Sequence, residues 1–224
     1  MVYSYTAIKQ YQNCPKAFLH RYVLRDVREE KSVQQTFGEV AHRALQAYIN
    51  RGTEPLAGTE YCRAVIEGVD GSCTRYAEHK LAIDGTGAPV EFFAPGVWLR
   101  GVIDFLVIRK NRALIFDWKF GKRRPDLLQL RLMALLTFGN FPEVEVIHAA
   151  LIWEADKASN IERFTRARLD ELVTECHELT ERIESSVQHD NWPLQPSGLC
   201  GWCPVDSTRC VYAKKREMPE RDDF

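Results

Sequence analysis

The 224 residues are 45% hydrophobic and 27% charged, a globular composition with enough apolar material for one sizeable core. Thirty Lys and Arg against thirty-one Asp and Glu leave a net charge of −1, so any nucleic-acid surface has to be local. Neither a run of eighteen apolar residues nor a basic-then-apolar leader occurs, which gives the expectation of a cytoplasmic protein with no membrane partner.

In chain order, SYTAIKQYQNCPKAFLHRYVL offers Ser4 as an N-cap and apolar residues at helical spacing interrupted at Cys14-Pro15, predicting two short helices jointed at Cys14. Residues 35–51 predict a helix with Val40, Ala44, Ala47 and Tyr48 on its apolar face, and residues 59–82 predict another. The first 83 residues are therefore expected to be mainly helical. After a Gly/Pro-bearing stretch, residues 97–108 and 113–119 turn to strand patterning. Asp126 can cap a helix running to Phe138, ended by Gly139-Asn140-Phe141-Pro142, and residues 144–155 alternate as a strand with IERFTRARL as its hairpin partner. Leu169, Leu172, Val173, Cys176, Leu179, Ile183 and Val187 mark a long amphipathic helix before a loop-like tail, residues 191–224. The expected organisation is a single domain over 1–224, with the helical part at 1–83, a core at 97–190 and a cysteine-bearing tail at 191–213. There are no internal repeats, and the absence of G-x-x-x-x-G-K-[ST] argues against a motor ATPase.

The segment GVIDFLVIRKNRALIFDWKFGK forms a hairpin in which paired residue numbers sum to 221, through a two-residue turn at Lys110-Asn111 or a four-residue loop at 109–112. That register sets Asp104 opposite Asp117, and strand alternation puts Lys119 on the same side. Facing carboxylates destabilise a sheet, and a buried lone carboxylate costs more, so the pattern calls for a cation such as a divalent metal or Lys119.

With G-E-V-A-H (Gly38 to His42) on the preceding helix, Asp104, the D-W-K triplet and Gln129 on the next helix, the chain resembles the PD-(D/E)XK nucleases, in particular the RecB-type branch. The resemblance implies an α/β fold, a restriction-endonuclease-like core with a central mixed sheet flanked by helices. It implies that Asp104, Asp117, His42 and the Trp118 carbonyl hold Mg²⁺ or Mn²⁺, and that Lys119 orients or deprotonates the attacking water or stabilises phosphorane-like charge. Gln129 opens Q-L-R-L-M, similar to the branch's Q-x-x-x-Y, with Met133 at the Tyr place. Lys122, Arg123 and Arg124 follow the triplet where phosphate contacts would be useful, and Tyr3, Tyr5, Trp98 and Trp118 are candidates for base stacking. The implied activity is metal-dependent DNA hydrolysis, as an exonuclease on single strands or duplex ends. A catalytically silent nucleic-acid-binding or scaffold subunit is the alternative. Helicase, recombination or CRISPR partners follow by analogy alone.

Seven cysteines stand at 14, 62, 73, 176, 200, 203 and 210. Cys200, Cys203 and Cys210 form C-x2-C-x6-C in a Gly/Pro-rich segment, which in a reducing compartment indicates metal or cluster ligation. Together with Cys14 in Y-Q-N-C-P, they look like the iron-sulfur subset of RecB-type nucleases, which implies a four-iron four-sulfur cluster joining the N- and C-terminal regions. Zinc is the alternative, compatible with a C-x2-C knuckle. Cys62, Cys73 and Cys176 read as buried or helical thiols.

Overall fold

A computed structural model of the chain describes residues 1–28 and 31–213, which fall into two compact units. The first comprises residues 1–5 and 31–178, the second residues 6–30 and 179 onward. Residues 214–224 of the expected tail lie outside the described residues.

The first unit is a five-stranded mixed sheet in the order β1-β2-β3-β4-β5, with strands at Thr74–Ile83, Leu99–Arg109, Arg112–Lys119, Val146–Trp153 and Ala158–Thr165. The β1/β2, β2/β3 and β4/β5 pairs are antiparallel, and β3/β4 is parallel. A parallel pair needs a crossover, supplied by a helix at Leu127–Asn140. Asp126 starts that helix by accepting the Leu128 N–H at 3.1 Å, a cap worth about 1 kcal/mol. The helix lies close on the sheet: a Cβ at Gly101 would meet Leu136 Cδ1 at 2.9 Å, and one at Gly139 the Gly87 carbonyl oxygen at 2.8 Å.

Helix Val33–Arg51 begins in a full capping box, Ser32 Oγ taking the Gln35 N–H and the Gln35 side chain taking the Ser32 N–H. Its buried stripe is Ala41 and Leu45, whereas Val40 is exposed, one position away from the expected face. The helix expected over 59–82 stops after one short piece, Glu60–Glu67. Gly68 and the Asp70-Gly71-Ser72 turn, in which Asp70 accepts from the Ser72 N–H and hydroxyl, break it, and β1 follows. The first 83 residues are thus helical only to residue 67, and the sheet begins at Thr74. Glu154, just past β4, accepts the Tyr61 and Cys62 N–H groups at 3.0 and 2.8 Å, capping the short helix from a distant strand end. Leu45, Cys62, Ile66, Phe105, Val107 and Trp118 form a core between these helices and the sheet.

The second unit contains the jointed helices, Tyr5–Asn13 from its second residue and Pro15–Phe18, the latter running into a π-helical turn at Leu19–Leu24. Cys14 is the extended joint residue, with Pro15 opening the next helix. The long helix is Leu169–His189, and its residues from Leu179 belong to this unit. Phe18 stacks on Tyr22 and Trp192, and Tyr11 donates to the Arg182 carbonyl at 2.9 Å. Among the described residues no helix is long and apolar enough to cross a membrane.

Candidate active site

The β2–β3 register sums to 221 from Phe105↔Phe116 to Arg109↔Arg112, closing on Lys110-Asn111 with Lys110 at φ 53°. The ladder ends one pair short of Asp104 and Asp117. Instead of a backbone pair, Asp104 Oδ2 accepts the Trp118 N–H at 2.7 Å, which pins its carboxylate and aims Oδ1 away from β3.

What Oδ1 meets is His42 Nδ1, 3.2 Å away, and the same nitrogen lies 3.4 Å from Glu78 Oε1. One ligand atom from each of His42, Glu78 and Asp104 falls within 4.8 Å of the others, the one such group among the described residues. Glu78 was absent from the sequence reading because its segment was read as helix. Opposite Asp104 in a β1–β2 register that sums to 182 on either side, it drops out of the ladder with φ 50°. A left-handed non-glycine in mid-strand is strained, and here it turns a carboxylate toward the histidine. Phe120 meets the His42 ring edge-on at 5.6 Å, which limits its orientation.

Asp117 belongs to a neighbouring set. Its Oδ2 lies 2.5 Å from Lys119 Nζ and its Oδ1 accepts the Gln129 amide at 2.6 Å, so Gln129 reaches the site while Met133 is buried. Asp104 and Asp117 are 7% and 3% exposed, whereas the Lys119 and His42 side chains are each a little over a quarter exposed. Burial raises the Asp117 carboxyl, opposed by Lys119 and reinforced by the Asp104 charge. For His42, burial lowers the pKa, but the hydrogen bonds and charges of Asp104 and Glu78 outweigh it and hold the imidazole at about 10. The Tyr5 hydroxyl donates to Asp126 at 3.2 Å, and burial, Asp126 and the Asp117 field all raise its pKa.

Two carboxylates and one imidazole within that reach suit a hard divalent cation with mixed N/O ligation, and the protonated imidazole between the carboxylates occupies the place where such a cation's charge is needed. Asp104 is further fitted by its backbone-held second oxygen, an outer hydrogen bond of the sort that orients a metal ligand. Lys122, Arg123 and Arg124 are exposed, with Arg123 donating to Asn160 Oδ1 at 3.3 Å. Tyr3, Trp98 and Trp118 are buried and pack as core rather than presenting faces for stacking, Trp98 lying on His177 at 4.2 Å.

In the second unit, Cys14, Cys200, Cys203 and Cys210 line one cavity of about 250 Å³. The Ser197 N–H points at Cys200 Sγ at 3.3 Å, and burial raises the Cys203 thiol pKa, opposed by the Val205 N–H and reinforced by the other three thiols. Cys62 and Cys176 are buried apart from this cavity, and burial pushes the Cys176 thiol up to about 12.

A profile described as the PD-(D/E)XK nuclease superfamily matches residues 2–210. Among solved structures, a candidate exonuclease from Eubacterium rectale is 12% identical, with 87% of this chain and 84% of that chain covered and a TM-score of 0.52. LHK-Exo, an alkaline exonuclease from Laribacter hongkongensis solved with dAMP, is 15% identical over 83% and 89% of the two chains, with a TM-score of 0.45. No curated protein matches the sequence.

Proposed function

From the premise that the chain belongs to the PD-(D/E)XK nuclease superfamily, we propose that it is a Mg²⁺- or Mn²⁺-dependent deoxyribonuclease, an exonuclease acting on single strands or duplex ends. The observation that carries this reading is the convergence of His42, Glu78 and Asp104 beside the Asp117–Lys119 pair. His42, Glu78 and Asp104 would hold the metal, with Asp117 and the Trp118 carbonyl adjacent to it. Bound there, the cation supplies Lewis-acid activation of water and neutralises charge developing on the scissile phosphate.

The chain's own residues do the rest. Lys119, partly exposed and anchored by Asp117, presents an ammonium to the attacking water or to a phosphoryl oxygen. Gln129 fixes the other oxygen of Asp117, so the ammonium is held by a carboxylate that cannot rotate. Lys122, Arg123 and Arg124 extend the cationic edge along which a phosphate backbone would run.

We assign the four cysteines to a structural four-iron four-sulfur cluster. All four thiols share one cavity, with the Ser197 N–H facing Cys200 Sγ, and this supports a single ligand set; zinc, which takes the same all-cysteine donors, is the alternative. Ligation would close the loop from residue 14 to residue 200 and stabilise the second unit.

The test is digestion of 5′- and 3′-labelled linear DNA and of circular DNA with Mg²⁺ or Mn²⁺. Linear DNA is expected to be degraded from its ends and circles spared, with Asp117→Ala and Lys119→Ala inactive. Undiminished digestion by both variants would sink the assignment. Anaerobically purified protein is expected to be brown; a colourless preparation with stoichiometric zinc overturns the cluster.

A further inference from the structure

Two adjacent phenylalanines, Phe92 and Phe93, stand in the connection from β1 to β2, and Phe93 is 75% exposed. The rings meet edge to face at 5.0 Å and 83°. Two cations brace them: Lys80 Nζ sits 5.7 and 5.5 Å from the two ring centres, and the Arg100 guanidinium carbon 5.1 and 5.5 Å. Arg100 also donates to the Phe92 carbonyl at 3.3 Å. The turn is closed by the Ala94 N–H on the Glu91 carbonyl at 2.9 Å, with Gly96 in the left-handed region at φ 88°. Among the described residues neither Lys80 nor Arg100 has an acidic partner, so both charges remain available.

The cluster stands at the edge strand β1 and the start of β2, where Lys80 lies opposite Val102, and Lys80, Phe92 and Phe93 line a surface hollow together with Asn140 and Phe141 at the end of the crossover helix. Lys80 is two residues from Glu78, and Arg100 four from Asp104, about 7 and 13 Å along the strands.

We propose that Phe92, Phe93, Lys80 and Arg100 form a second nucleic-acid contact, which stacks the bases of a single DNA strand a few nucleotides from the scissile phosphate. The choice of DNA rests on the nuclease reading above. Aromatic faces stack any base, whereas the bases of an intact duplex are already stacked on each other, so the platform selects single strands and frayed ends. The cations contact phosphate and hold the rings upright, so little ordering is left to binding.

The test is fluorescence anisotropy of a 5′-labelled 15-mer oligothymidine without added divalent metal. Phe93→Ala is expected to weaken binding by about 5- to 150-fold, Phe93→Trp to retain it, and Lys80→Gln to reduce the slope of log Kd against log salt by about 0.7. A Phe93→Ala protein that binds within twofold of the wild type overturns the platform, as does a wild type that binds no oligonucleotide. Wild-type binding through Phe93 without any Mg²⁺- or Mn²⁺-dependent digestion keeps the platform and sinks the nuclease. Digestion with binding indifferent to Phe93 does the reverse.

Discussion

The carboxylate–imidazole group and the cysteine cavity are both ligand sets assembled from distant segments, but they are held in different ways. His42, Glu78 and Asp104 sit on one helix and two paired strands, and a backbone N–H fixes Asp104. Their geometry is set by elements that pack around the core. Three of the four thiols stand on a short turn-rich segment held largely by local contacts such as Ser197 to Cys200 and Asp206 to Cys210, with Arg209 donating to the Asp26 carbonyl at 3.2 Å as its long-range tie. A site of the first kind loses its chemistry when altered, whereas one of the second kind loses its structure.

The sharpest way to break that contrast is Asp104→Asn, which keeps an acceptor for the Trp118 N–H and removes the charge. Hydrolysis of labelled DNA is expected to fall by about 10²- to 10⁴-fold with the melting curve and the brown colour retained. Cys203→Ser is expected to act the other way round, bleaching the visible absorbance and lowering the melting temperature by about 10 °C in a thermal scan. A pH series sharpens the first site. His42 has its folded pKa raised from 6.5 to about 10. In the metal-free protein its ion pairs therefore contribute stability that is fully present below pH 6.5 and lost as pH rises through about 10. Metal must displace that proton, so Mn²⁺ affinity measured by calorimetry is expected to rise about tenfold per pH unit between pH 7 and 9. His42→Ala is expected to flatten that slope. The smallest effect is expected for Gln129→Ala, about tenfold in turnover, since it removes one hydrogen bond to a carboxylate that Lys119 still holds.

The hairpin register was legible because a two-residue loop leaves little choice in pairing, and residues 105–116 follow it. Its last step was not legible. Alternation cannot say that the Asp104 side chain takes the place of a ladder bond to Trp118. Glu78 was hidden twice, by a helical reading that ran through the Gly68 and Asp70-Gly71 turn and by a left-handed backbone angle that no periodicity reveals. The turn residues followed by Thr74, Tyr76, Leu81 and Ile83 were the available sign of a strand. The buried stripe of the capping-box helix was misplaced by one position because alanines at 41, 44 and 47 leave the apolar face ambiguous.

Glu154 has a consequence for how the chain is made. The first-turn amides of helix Glu60–Glu67 are covered by a carboxylate 92 to 93 positions later. At about 5 to 20 residues per second of ribosomal synthesis, that helix waits roughly 5 to 20 s for its cap. During that interval the nascent segment carries Cys62 and Ile66, both destined for the core, without the strand that will shelter them.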